Sequence, residues 1–212
     1  MKTTIKGLIL AVGTTLTMGA HASYIGIDTT GLPVVEVPAF NNYAADVPGA
    51  ELFVGQTGFG SATVEAFQDG PFRLTFTYLF TEAAFENSFW YQGTELFNTS
   101  SSAYGDSYST VYTGTAGALD FFFQSFGGGA TTTVVNGAND DNVAPNFHTF
   151  WDVGSNSLII ALDDHGAGPD DNHDDMIIKI TASAVPEPGT MALLGLGLAG
   201  LGASMRRRRN VA

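Results

Sequence analysis

The nine residues FRLTFTYLF, from Phe72 to Phe80, constrain this chain more than any other stretch. Phe72, Leu74, Phe76, Tyr78 and Phe80 recur with a period of two, and Thr75 and Thr77 sit between them. An extended strand places such a set on one face, because side chains alternate across a pleated backbone. A strand with one apolar face needs a second layer to cover it. Further candidate strands follow at residues 62–67, 88–97, 108–112, 119–126, 131–135, 147–153, 158–162 and 176–182. Turn formers such as Asp69-Gly70-Pro71 and Asn136-Gly137 lie between them. Many short strands with little helical periodicity predict an all-β chain, a single jelly-roll-like β-sandwich domain over residues 23–184. Phe121-Phe122-Phe123 cannot alternate. It is either buried on both faces or it exposes one aromatic ring. Residues 28–60 are less regular and are expected to wrap the sandwich edge.

The two ends read differently from the middle. Lys2 and Lys6 precede an apolar stretch, and Ala20 and Ala22 are the small residues that a signal peptidase reads. Residues 1–22 are therefore expected to be a signal peptide with a helical apolar region. At the other end, Met191 to Met205 is 15 residues without a charge. As a helix it would span about 22 Å at about 1.5 Å per residue. That is short of the ~30 Å hydrocarbon core of a bilayer. Gly195, Gly197, Gly200 and Gly202 weaken it further as a helix in water. Arg206, Arg207, Arg208 and Arg209 follow directly, and a basic cluster after an apolar run favours holding that end in the cytoplasm.

Three features stand in order at 185–211: Val185-Pro186-Glu187-Pro188, the apolar segment 190–205 and the arginines 206–209. Together they resemble the PEP-CTERM sorting signal of Gram-negative bacteria. The Leu-Pro-x-Thr-Gly motif of Gram-positive sortases is absent. The resemblance implies an exported protein, inserted transiently in the inner membrane and cleaved near Pro186, Glu187 and Pro188 by an exosortase-type membrane protease. It also implies a final place at the cell surface or in the medium, and an association with exopolysaccharide or biofilm; the acidic middle and the lack of a catalytic signature add the expectation that the chain is non-enzymatic.

Charge narrows the partners. Between the two ends Arg73 and Lys179 are the only bases, whereas all 21 acidic residues lie between Asp28 and Glu187. Nucleic acid and anionic lipid both need Lys and Arg, so neither is expected as a partner. There is no cysteine, hence no disulfide framework and no thiolate chemistry.

The strongest local signal in the middle is LDDHGAGPDDNHDDMIIKI, residues 162–180. Six aspartates fall within the 13 residues 163–175. Such crowding is costly unless a cation is shared. Asp163, Asp164, Asp170, Asn172, Asp174 and Asp175 offer the hard oxygen ligands that calcium prefers. The stretch is not an EF-hand: with Asp170 as position 1, position 6 is Asp175 and position 12 is Thr181. A solvated acidic hairpin loop is the alternative. The stretch also resembles the C-terminal signature of uncharacterised bacterial extracellular β-domains, a hydrophobic strand, an Asp/Gly-rich turn and Asp-Asp-Met opening the last strand. That resemblance implies a hairpin or ion site at Asp163, Asp164, Asp174 and Asp175.

Other chemistry is thinner. His165 and His173 could join aspartates on a transition metal, and His148 reads as structural between Phe147 and Trp151. Asp163 with Asp174 could form a glycosidase pair, which keeps a secreted hydrolase as one alternative. Trp90, Tyr91, Tyr104, Tyr108 and Tyr112 could form a sugar-stacking patch, which keeps a calcium-dependent glycan-binding module as another. The motifs Gly-x-Ser-x-Gly and His-Glu-x-x-His and the P-loop are absent.

Overall fold

Residues 23–32, 34–36, 57–152, 157–164, 173–185, 194–198 and 200–201 are described by a computed structural model. Their architecture follows from the alternation in the sequence. Fourteen strands occur among them: β1 (Ile25–Asp28), β2 (Val35–Glu36), β3 (Thr57–Gly58), β4 (Thr63–Ala66), β5 (Phe72–Phe80), β6 (Glu86–Tyr91), β7 (Thr94–Asn98), β8 (Ser107–Tyr112), β9 (Gly117–Ala118), β10 (Phe121–Gly127), β11 (Ala130–Val135), β12 (Asn146–Asp152), β13 (Ser157–Asp163) and β14 (Met176–Ala184). All the strand pairs are antiparallel. They form a five-stranded sheet β12-β13-β14-β5-β8, a four-stranded sheet β11-β10-β6-β7, a three-stranded sheet β1-β4-β9 and the pair β2-β3. Phe59 bridges Thr149, which fastens the chain after β3 to the edge of β12. The described part of 28–60 thus does lie at a sheet edge.

The two large sheets meet across a layer of aromatic rings. Phe76 of β5 lies 5.5 Å from Phe89 and 4.7 Å from Tyr91 of β6. Phe121 and Phe123 of β10 each lie 5.7 Å from Phe147 of β12. Burying such rings is the main favourable term in folding a chain without disulfides or a basic network. β13 is buried along its whole length. Leu158, Ile160 and Leu162 join the aromatic core, while Ile159 and Ala161 join a second cluster with Leu79, Phe150 and Ile177. Its unbroken apolar run reflects burial on both faces.

Three expectations change in detail. Residues 88–97 are two strands, β6 and β7, rather than one. Gln92 (φ 48°) and Gly93 (φ 73°) turn the chain between them, and left-handed backbone at two central residues is what a tight hairpin turn requires. Phe80 leaves the face of Phe72 and Phe76, because the register with β14 shifts between Ile177 and Ile178. Leu79 is the extra residue of that bulge, and Phe80 packs on the second cluster. Phe121 and Phe123 point into the core, whereas Phe122 is half-buried on the other side, stacked on Trp90 at 5.6 Å. The expected signal peptide, with Ala20 and Ala22, lies outside the described residues. Residues 194–198, 200 and 201 are helical, with Leu194, Leu196, Leu198 and Leu201 exposed. Among the described residues no helix is long and apolar enough to cross a membrane.

Phe89 is fully buried and touches Phe76, Phe97, Phe121 and Phe123. Phe89→Ala should therefore cost about 3–5 kcal/mol in urea unfolding. Phe126→Ala, at a ring 54% exposed, should stay within about 0.5 kcal/mol of the parent.

Candidate functional site

The hairpin of β13 and β14 brings the acidic residues together by register. Leu162 pairs with Met176, so Asp163 and Asp164 leave β13 beside Asp174 and Asp175, which lead into β14. Asp163 and Asp174 are fully buried, and Asp164 is nearly so. Backbone bonds close the mouth. Asp175 N–H donates to the Leu162 carbonyl (3.1 Å), and Asp164 N–H donates to Asp175 Oδ2 (2.8 Å). The loop after β5 holds the other side: Thr81 Oγ1 donates to the Asp175 carbonyl (2.6 Å) and Glu82 N–H to the Asp174 carbonyl (3.2 Å).

Side chains from two other strands complete the cluster. Asn87 of β6 reaches across from the facing sheet, and its Nδ2 donates to Asp164 Oδ2 (2.7 Å). Asn146 of β12 pairs with Asp163, and its Oδ1 lies 2.7 Å from His173 Nε2. The His173 ring stacks on that of His148 at 3.7 Å and 17°. His173 also adopts a left-handed backbone (φ 53°), a region uncommon for residues other than glycine but one that histidine enters more readily than most. An open groove of about 460 Å³ runs alongside, lined by Thr81, Glu82, Phe85, Glu86, Thr99 and Ser100 among others.

Burial sets the electrostatics. It pushes the Asp175 carboxyl up to about 8, against the pull of the Asp164 N–H, and Asp164, Asp163 and Asp174 push the same way as burial. Burial also holds His173 well below the ordinary imidazole value, and His148 adds to the effect. Both shifts disfavour the charged form.

Of the expected ion-site residues, Asp163, Asp164, Asp174 and Asp175 come together. Asp170, Asn172 and His165 lie outside the described residues. Among the described residues no group of three or more His, Asp or Glu side chains is arranged to hold a metal. The expected aromatic patch does not assemble: Tyr91 and Tyr112 are core residues, while Tyr104 and Tyr108 are exposed. Both tyrosines sit on the inward face of their strands, opposite Phe121 and Phe72. Asn87 and Asn146 were not legible as site residues. Their only signal is that asparagine is uncommon inside a strand.

Beyond the hairpin, β14 ends at Ala184, and the Pro-Glu-Pro, apolar and arginine segments follow at once. Residues 184–209 match the PEP-CTERM protein-sorting motif. The PEP-CTERM match begins on the last residue of β14 and takes in Pro186, Glu187, Pro188 and Arg206 to Arg209, which lie outside the described residues. A PEP-CTERM motif implies an exported protein that is processed by exosortase, a membrane protease, and that reaches the cell surface or the medium. No curated protein and no solved structure matches the chain.

The two shifted groups give stability a pH dependence with a definite sign. The unfolded Asp175 carboxyl ionises near 3.8 and the folded one near 8, so stability falls as pH rises between those values. The unfolded His173 takes a proton below about 6.5 and the folded one resists it, so stability also falls as pH drops below about 6.5. In metal-free buffer the parent should lose stability from about pH 6.5 to 8, with a slope approaching about 1.4 kcal/mol per pH unit. Asp175→Asn should abolish that limb and expose a monotonic loss below about pH 6.5, measured by urea unfolding across the range.

Proposed function

We propose that this chain is a non-enzymatic component of the cell surface or extracellular matrix of a Gram-negative cell, associated with exopolysaccharide. One observation carries the reading: the sorting motif begins where the last strand of the β-domain ends. Cleavage near Pro186 to Pro188 would release the sheet whole. On this reading residues 190–205 hold the chain transiently in the inner membrane, with Arg206 to Arg209 inside. The composition agrees. With only Arg73 and Lys179 against 20 acidic residues, since the 21st, Glu187, lies in the sorting motif, the domain is suited to a hydrated matrix and not to nucleic acid or anionic lipid.

A glycan-binding module is a second reading, favoured by the Trp90–Phe122 stack on the outer side of the four-stranded sheet, four residues along β10 from the exposed Phe126. Aromatic faces of this kind suit sugar rings. A secreted hydrolase has less support, because Asp163 and Asp174 are fully buried rather than directed to a cleft.

Mass spectrometry of the extracellular form tests the reading. We expect a chain that starts near Ser23, ends near Pro186 to Pro188 and lacks the four arginines. Glu187→Ala should leave the uncut chain in the membrane fraction. The intact 1–212 chain in the cytosol would overturn the reading. A deletion strain with unchanged extracellular matrix would remove the polysaccharide role alone.

A further inference from the structure

We propose that Asp164, Asp175 and the Oδ1 of Asn87 hold a calcium ion that ties the β13–β14 hairpin to the facing four-stranded sheet. The first support is position. Asp164 N–H donates to Asp175 Oδ2 (2.8 Å), which sets the Asp175 carboxyl beside the Asp164 backbone. Asn87 arrives from β6 of the other sheet and is already fixed on Asp164 through Nδ2 (2.7 Å). Fully buried Asp163 and Asp174 raise the negative potential around them.

The second support is independent of the acidic residues. Asn87 is fully buried, and its Oδ1 has no hydrogen-bond partner among the described residues. Buried acceptors of this kind are uncommon in folded proteins. The amide cannot be turned round to cure it. Nδ2 faces Asp164 Oδ2 at 2.7 Å, and a flip would set oxygen against oxygen. A buried acceptor without a donor, on an amide already held at Asp164, is satisfied by a cation.

Ligand chemistry selects the ion. The set is two carboxyl groups and an amide carbonyl, all hard oxygen. Calcium accepts six to eight such ligands in irregular geometry, whereas magnesium demands a near-ideal octahedron. The nearby imidazole of His173 is engaged by Asn146, which argues against a softer metal. Neither base of the domain is placed at the hairpin mouth by the register. Arg73 pairs with Ser183 and Lys179 with Thr77, and Lys179 is about 13 Å along β14 from Asp175 at about 3.3 Å per residue. Three ligands, of which two are acids, agree with the absence of a triad of acids or histidines in the described residues.

The test uses the exported protein, stripped with a chelator and titrated with calcium chloride alone. Calorimetry should give one saturable site, with a dissociation constant in the ~10⁻⁴–10⁻³ M range of extracellular calcium modules. The melting temperature should rise with it, more than with magnesium or with sodium chloride at matched ionic strength. Asn87→Ala and Asp175→Asn should each weaken binding about tenfold or more. Circular dichroism identifies any variant that fails to fold, and Asp175→Asn, which preserves shape, then carries the comparison. No saturable heat in the parent would overturn the proposal. So would a shift reproduced by sodium chloride, or binding unchanged in folded Asn87→Ala and Asp175→Asn. Loss of exosortase processing in any of these variants bears on the proposed function and not on this site.

Discussion

The rest of the domain depends on the insertion of β14 between β13 and β5. Residues 158–162 pair with 176–180 on one side, and residues 177–184 pair with 72–80 on the other. A strand bonded on both edges is the part of a sheet that opens last, because opening it breaks two ladders at once. β14 contributes Met176, Ile178 and Ile180 to the aromatic core and Ile177 to the second cluster. Two features of the chain stand at its ends. The buried oxygen cluster stands at its start, and the sorting motif begins on its final residue.

This placement makes sense of a tail that is removed. The strand that holds the sheet together is complete before the Pro-Glu-Pro segment. A cut in that segment takes nothing from either ladder. Proline at 186 and 188 also suits the exit from a sheet, since it has no N–H to offer a neighbouring strand. Both ladders of β14 are therefore complete before residue 185.

Much of this was legible in the residues, for physical reasons that differ from element to element. The alternation of Phe72 to Tyr78 survives as the inner face of β5, because a period of two has no other stable outcome. The bulge at Leu79 was not legible, since one inserted residue changes facing without changing composition. The turn at Gln92-Gly93 was hidden within an apolar run, where aromatic content outweighed one glycine. The acidic residues of the hairpin could be found because six aspartates in so short a stretch are unusual. Asn87 could not, because it lies 77 residues away from Asp164 and meets it only when the two sheets close. Contacts between sheets leave no local pattern to read.

The claim that β14 closes the domain before the sorting signal begins is tested most directly by hydrogen exchange. The amides of residues 177–180 should be among the slowest in the chain, and equally slow in the full-length protein and in the processed extracellular form. Faster exchange at those amides after removal of the tail would contradict the account, because it would show that the sorting segment supports the sheet.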